Sequence, residues 1–173
     1  MITYKNILLC ASMICIVSSC GKAEAPRASA TEVTEIELSD VPQTVNDLVQ
    51  ATRPDFTTTE VLKKVREGRV YYDVEGELTD GDEIEFDVLM TKNGPQIVEI
   101  QRDLEWSLVP QFAKVVINEA NSEDLEIVRI IESIQTDNSI IYEVFVANHP
   151  SDPRFEVSMK DNQARLLEAR WKH

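Results

Sequence analysis

The chain has 173 residues and 43% hydrophobic content, enough for the core of one domain or two small ones, and too much for wholesale disorder. Lys and Arg number 17 against 31 Asp and Glu, and the formal charge of −14 argues against nucleic acid, whose phosphates are bound by clustered cations. With His149 and His173 the only histidines, hydrolase and transferase chemistry is also poorly served.

The first six residues carry Lys5 and the amino terminus, and an apolar run over 7–17 follows. A short cationic start, an apolar stretch and small residues behind it read as a secretory signal. The run is shorter than the roughly 20 apolar residues of a membrane span. Val17-Ser18-Ser19-Cys20-Gly21 resembles a bacterial lipobox, with Val17 where Leu is usual. That resemblance implies a signal peptide over 1–19, lipid attachment at Cys20 and a place in the bacterial cell envelope. Gly21 is not the Asp of an inner-membrane retention signal, which implies the outer membrane, facing the periplasm. Cys10 and Cys15 fall in the discarded segment, so one cysteine remains and no disulfide or zinc framework can form. Residues 20–40 are small, polar and aperiodic and read as a flexible tether, in which 33–38 could form a short edge strand.

Beyond the tether the chain repeats itself. Val41-Pro42-Gln43 recurs as Val109-Pro110-Gln111, Val70-Tyr71-Tyr72-Asp73-Val74 matches Ile140-Ile141-Tyr142-Glu143-Val144, and Phe86-Asp87-Val88 matches Phe155-Glu156-Val157. Matches in one order at nearly constant spacing mark duplicated units, here 41–106 and 107–173. Each unit opens with a helix. In the first, Ser39 or Asp40 caps it, Pro42 sits in its first turn, and Val45, Leu48 and Val49 share a face. In the second, Val115 and Val116 face inward. The segments 57–67 and 125–135 fit a helix as well as a strand by period, and the three threonines at 57–59 favour a strand. Alternation then takes over at 70–78 and 83–90, joined by Asp80-Gly81, with Asn93-Gly94 leading into a further strand at 96–103.

The segments Val41-Pro42, Tyr71-Tyr72-Asp73-Val74-Glu75-Gly76-Glu77-Leu78, Asn93-Gly94 and Ile141-Tyr142-Glu143-Val144 resemble the PepSY-like family of tandem envelope domains. The resemblance implies an α+β fold of two tandem repeats, each a helix packed on a four-stranded antiparallel sheet. That architecture is similar to the beta-lactamase-inhibitor-protein type, in which paired units present a sheet to an enzyme. The loop Asn148-His149-Pro150-Ser151-Asp152-Pro153 departs from the family pattern, and no inhibitory residue carries over.

The sharpest local feature is the run 73–87, eight carboxylates without one Lys or Arg. Alternation places Asp73, Glu75 and Glu77 on the same face as Glu83, Glu85 and Asp87 across one hairpin, where opposed like charges destabilise the pairing. Three things could offset this: Lys63, Lys64, Arg66 and Arg69 with solvent, a basic protein partner, or a divalent cation. Asp80-Gly81-Asp82-Glu83 lacks the spacing of a calcium loop and reads as a turn. A solvated sheet face does not give paired carboxylates the unequal, sheltered surroundings of acid–base catalysis. His149 reads as solvent-exposed, and no phosphate loop or nucleophile motif appears. Ile141 and Phe145 are expected to be buried on the side that is acidic in the first unit, with an exposed partner patch as the alternative, and Trp106 to plug the junction between units, with a binding hot spot as the alternative. The expected function is a non-enzymatic, lipid-anchored binding or inhibitor-like module without cofactor or metal. Its partner is an envelope protein, with peptidases and other hydrolases as candidates. The alternative is a structural spacer or assembly component of an envelope complex.

Overall fold

The structure, a computed structural model, describes residues 31–170. The expected signal segment, the lipid site Cys20, the first part of the tether, Trp171 and His173 lie outside the described residues. The chain runs through β1 (Glu32–Glu35), a 3₁₀ turn (Leu38–Asp40), α1 (Gln43–Thr52), β2 (Phe56–Arg66), β3 (Arg69–Leu78), β4 (Glu83–Thr91) and β5 (Gly94–Asp103). A second 3₁₀ turn (Trp106–Leu108) leads to α2 (Gln111–Ala120), β6 (Ile127–Gln135), β7 (Ile140–Val146), β8 (Phe155–Lys160) and β9 (Gln163–Leu166). No described helix is long and apolar enough to cross a membrane.

All nine strands form one antiparallel sheet in chain order, β1 to β9. This corrects the expectation of two repeats that each pack a helix on a four-stranded antiparallel sheet. The strand that should end the first sheet is not an edge, because β5 pairs with β6, with Glu99 opposite Gln135 and Asp103 opposite Ile131. Unpaired, that stretch would present a row of bare N–H and C=O groups, and pairing satisfies them. Hydrophobic alternation says which face a residue takes and is silent on which strand lies beside it. β1 adds the ninth strand, within the segment read as a tether, by pairing Glu32–Glu35 with the outer half of β2.

The ambiguous segments 57–67 and 125–135 both form strands, β2 and β6. Two hairpins close through paired left-handed residues, Glu67-Gly68 (φ 53° and 76°) and Asp161-Asn162 (φ 51° and 61°), the twist that suits two-residue turns. Between β3 and β4 the chain turns at Gly81, whose φ of 91° a side chain would disfavour.

Both helices lie on the same face. Val45 and Val49 of α1 pack on Val61, Tyr72, Val74, Phe86 and Val88, and Phe56 meets Phe86 edge-to-face at 5.0 Å between ring centres. Ala113 and Ile117 of α2 pack on Ile130, Tyr142, Val144 and Val157. Each valine, isoleucine or phenylalanine side chain buried this way contributes about 1.5–3 kcal/mol. The inward stripe of α2 differs from the expected one: Ala113 and Ile117 are buried, Val116 is half-buried and Val115 is exposed. Pro42 occupies the position before α1 without any side-chain cap, and Asp40 lies in the preceding 3₁₀ turn.

Candidate functional site

The other face of the sheet carries no helix among the described residues, and the acidic run lies on it. The β3–β4 register sets Asp73 opposite Asp87, Glu75 opposite Glu85 and Glu77 opposite Glu83. All six sequence-predicted residues therefore meet as three directly opposed pairs. Their exposure is graded along the hairpin. Glu77 and Glu83 near the turn are exposed, Glu75 and Glu85 are half-buried, and Asp73 and Asp87 are buried at 1% and 7% exposure. The expectation of a solvated sheet face holds at the hairpin end and is corrected at Asp73 and Asp87.

Neutralisation is uneven. Lys64 of β2 forms a salt bridge with Asp73 Oδ2, while the buried Oδ1 of Asp73 has no hydrogen-bond partner. Arg66 and Arg69 instead sit over the Tyr71 ring, 5.0 and 5.2 Å from its centre, and Lys63 is in register with Tyr72 on the helix side. Glu75, Glu77, Glu83 and Glu85 form no salt bridge among the described residues. Burial pushes the Glu85 carboxyl up to about 7; Lys64 opposes the rise, and Glu75, Asp87 and Glu99 add to it.

The acidic face extends further than the sequence indicated. Asp87 is opposite Glu99, which accepts a 2.6 Å hydrogen bond from Gln135 Nε2 and is itself buried. A bulge in the β4–β5 pairing, where Val88 is opposite Ile97 and Asp87 opposite Glu99, breaks the alternation in β5 and hides Glu99 from a period-two reading. Gln101, opposite both Glu85 and Ser133, carries the same face into β6. Farther across, burial raises the Glu143 carboxyl to about 7, with Glu99 and Glu156 adding to it and Arg170 and Arg129 opposing. Glu156 is held by Arg170 at 3.0 Å.

Between these strands lies an open cleft of about 230 Å³, lined by Glu75, Glu85, Gln101, Asp103, Arg129 and Ile131, with Glu77 and Glu83 at its hairpin end. Arg129 is turned to one side, its Nε donating to Asp103 Oδ1 at 2.8 Å and its guanidinium 5.7 Å from the centre of the Phe145 ring. Ile141 and Phe145 are buried, as their place in the alternation implied, and His149 is exposed. Trp106 is not the buried plug expected: it is 37% exposed, with Lys114 Nζ 5.5 Å from its ring centre.

Chemically, the arrangement offers closely spaced carboxylates that bear negative charge and accept hydrogen bonds, which suits a cation. Among the described residues no group of three or more His, Cys, Asp or Glu side chains is arranged to hold a metal ion. No protein-family model and no curated protein sequence matches the chain.

Proposed function

We propose that this chain is a non-enzymatic binding module of the bacterial envelope, anchored through lipid on Cys20, that takes a cationic segment of a protein partner on its helix-free sheet face. The partner class is a peptidase or other hydrolase, held in the manner of an inhibitor. The observation that carries the reading is the set of directly opposed glutamates, Glu75 with Glu85 and Glu77 with Glu83, without a salt bridge among the described residues. Opposed like charges on neighbouring strands destabilise a sheet by about 0.2–1 kcal/mol per pair, and an incoming cation converts that cost into attraction. The cleft, about 230 Å³, is smaller than the roughly 300–1,000 Å³ of ordinary small-molecule sites, which favours a protein side chain as its occupant.

The test uses the full chain as bait in envelope extract, beside a Glu77→Lys/Glu83→Lys variant. Both positions are exposed, so the variant should fold. The reading expects a dominant partner captured by the wild type, lost in the variant and released as salt screens charge over a Debye length of about 8–10 Å. Capture that is indifferent to both changes would overturn it in favour of a structural spacer.

A further inference from the structure

We propose that the end of the sheet bearing Lys63, Arg66, Arg69 and Lys92 docks on an anionic phospholipid surface, the one to which Cys20 tethers the chain; this rests on the lipid anchor in the reading just given. Acidic residues outnumber basic ones 31 to 17, yet these four cations gather at one place. Arg66 and Arg69 are directly opposite each other at the β2–β3 turn, and both guanidiniums lie over the Tyr71 ring. Lys63, on the outer half of β2, is opposite Thr34 of β1 and Tyr72 of β3. Tyr71 is opposite Leu89, and two residues further β3 begins and β4 ends, which sets the Lys92-Asn93 turn beside the Glu67-Gly68 turn. Lys63, Arg69 and Lys92 form no salt bridge among the described residues. By contrast, Arg102, Arg129, Lys160 and Arg170 each pair with a carboxylate. The carboxylates beside the four cations are Glu67 in the turn and Glu32 on β1, and Asp73 deeper in β3 is bridged to Lys64.

Two arrangements direct this end toward lipid. The first is the entry of the chain: Glu32 pairs with Val65, so the segment that follows Cys20 joins the sheet next to Arg66. Fully extended, that segment spans at most about 40 Å, and it contains Lys22 and Arg27 against Glu24. The second is the separation of charge along β3. Its ten residues place the acidic turn Asp80-Gly81-Asp82-Glu83 at the opposite end, about 33 Å away. That distance exceeds the Debye length of about 8–10 Å, so an anionic surface attracts the near end while the far end is screened from it. Arg66 and Arg69 repel across the strands, and a lipid phosphate set against both turns that repulsion into attraction, with guanidinium forks suited to phosphate oxygens. With the strands upright on the surface, both faces of the sheet stay clear of lipid, the acidic cleft among them.

The test takes the chain as purified from envelopes into bilayer nanodiscs, one set of phosphatidylcholine and one with added phosphatidylglycerol. A trace of lipid with a gadolinium-chelating head group broadens NMR signals close to the surface. With phosphatidylglycerol, the amides of Gly68, Arg69, Lys92 and Asn93 should broaden well beyond those of Gly81 and Asp82. The contrast should fade on phosphatidylcholine, and in about 1 M salt, where the Debye length is about 3 Å. Arg69 and Lys92 are exposed, so Arg69→Gln and Lys92→Gln should fold. Each should lower the ratio of docked to free molecules about fivefold, and Glu67→Gln should raise it. Broadening that is equal at both ends, equal on the two lipids, or unmoved by the paired Arg69→Gln and Lys92→Gln changes would overturn the docking. Mass spectrometry of the same sample separates the two readings. Lipid on Cys20 without selective broadening keeps the anchor and removes the docking, whereas a chain without lipid removes both.

Discussion

Glu75 and Glu85 stand directly opposite each other in the β3–β4 ladder, both half-buried, and neither forms a salt bridge among the described residues. Like charges set directly opposite each other on neighbouring strands destabilise the pairing. The pair also has consequences for stability that can be measured without knowing any partner.

The first concerns pH. Glu85 has a folded-state pKa raised from its ordinary 4.5 to about 7, with burial the largest cause. The fold therefore favours the neutral acid. The associated stability is complete below the unfolded value and is lost as pH rises through about 7. Glu85→Gln should leave stability unchanged near pH 5 and raise it near pH 8.5 by up to about 3 kcal/mol, since each pKa unit is worth about 1.4 kcal/mol. Urea unfolding at the two pH values checks this. Part of the slope should survive in the variant, because Glu143 is raised in the same direction.

A second prediction concerns Ser133. Its buried hydroxyl forms no hydrogen bond, so Ser133→Ala removes an unmet polar group and leaves nothing unpaired. Thermal unfolding should show no loss, or a gain of about 1 kcal/mol. A substantial loss would mean that the hydroxyl is satisfied in solution.

Gly76 sits in β3 where a Cβ would come within 2.1 Å of the Thr57 carbonyl oxygen and 2.6 Å of the Phe56 ring. Phe56 closes over this position to meet Phe86, and the pairing of β2 with β3 shifts between Thr58 and Glu60. Gly76→Ala must displace backbone as well as ring. It should destabilise by about 3 kcal/mol, at the upper end of ordinary overpacking. Urea unfolding measures it, and a change under about 1 kcal/mol would show that the strand gives way freely.

The two sides of α2 should respond oppositely. Ile117 is fully buried and Phe112 is 56% exposed. Ile117→Ala should cost about 2–5 kcal/mol as a cavity in the core, while Phe112→Ser should stay within about 0.5 kcal/mol. Paired denaturation curves decide between this geometry and one with Val115 and Val116 inward.

These contrasts show how far the sequence could be read. Period-two alternation was enough to bring Glu75 and Glu85 onto one face, because Asp80-Gly81 closes a regular hairpin and register follows from the turn. It failed at Glu99, where the bulge opposite Val88 puts one extra residue into β5. The joining of the two halves was equally hidden, since the residues that pair β5 to β6 carry no local mark of their partner. Which helix residues faced inward depended on where α2 begins, and Val115 and Ile117 are equally apolar. Burial of Asp73 depends on what the neighbouring strands set beside it, Leu62 and Lys64 of β2 and Asp87 of β4, and a lone strand pattern contains nothing of that kind.

The most direct test of the binding face is site-specific photo-cross-linking in intact envelopes. A photoreactive residue at Thr59, which lines the acidic cleft, is compared with one at Thr44, which is exposed on α1. The account predicts a discrete cross-linked protein from position 59 that disappears when Glu75 and Glu85 are both changed to Gln, and none from position 44. Cross-links from position 44 alone, or from neither position, would contradict it.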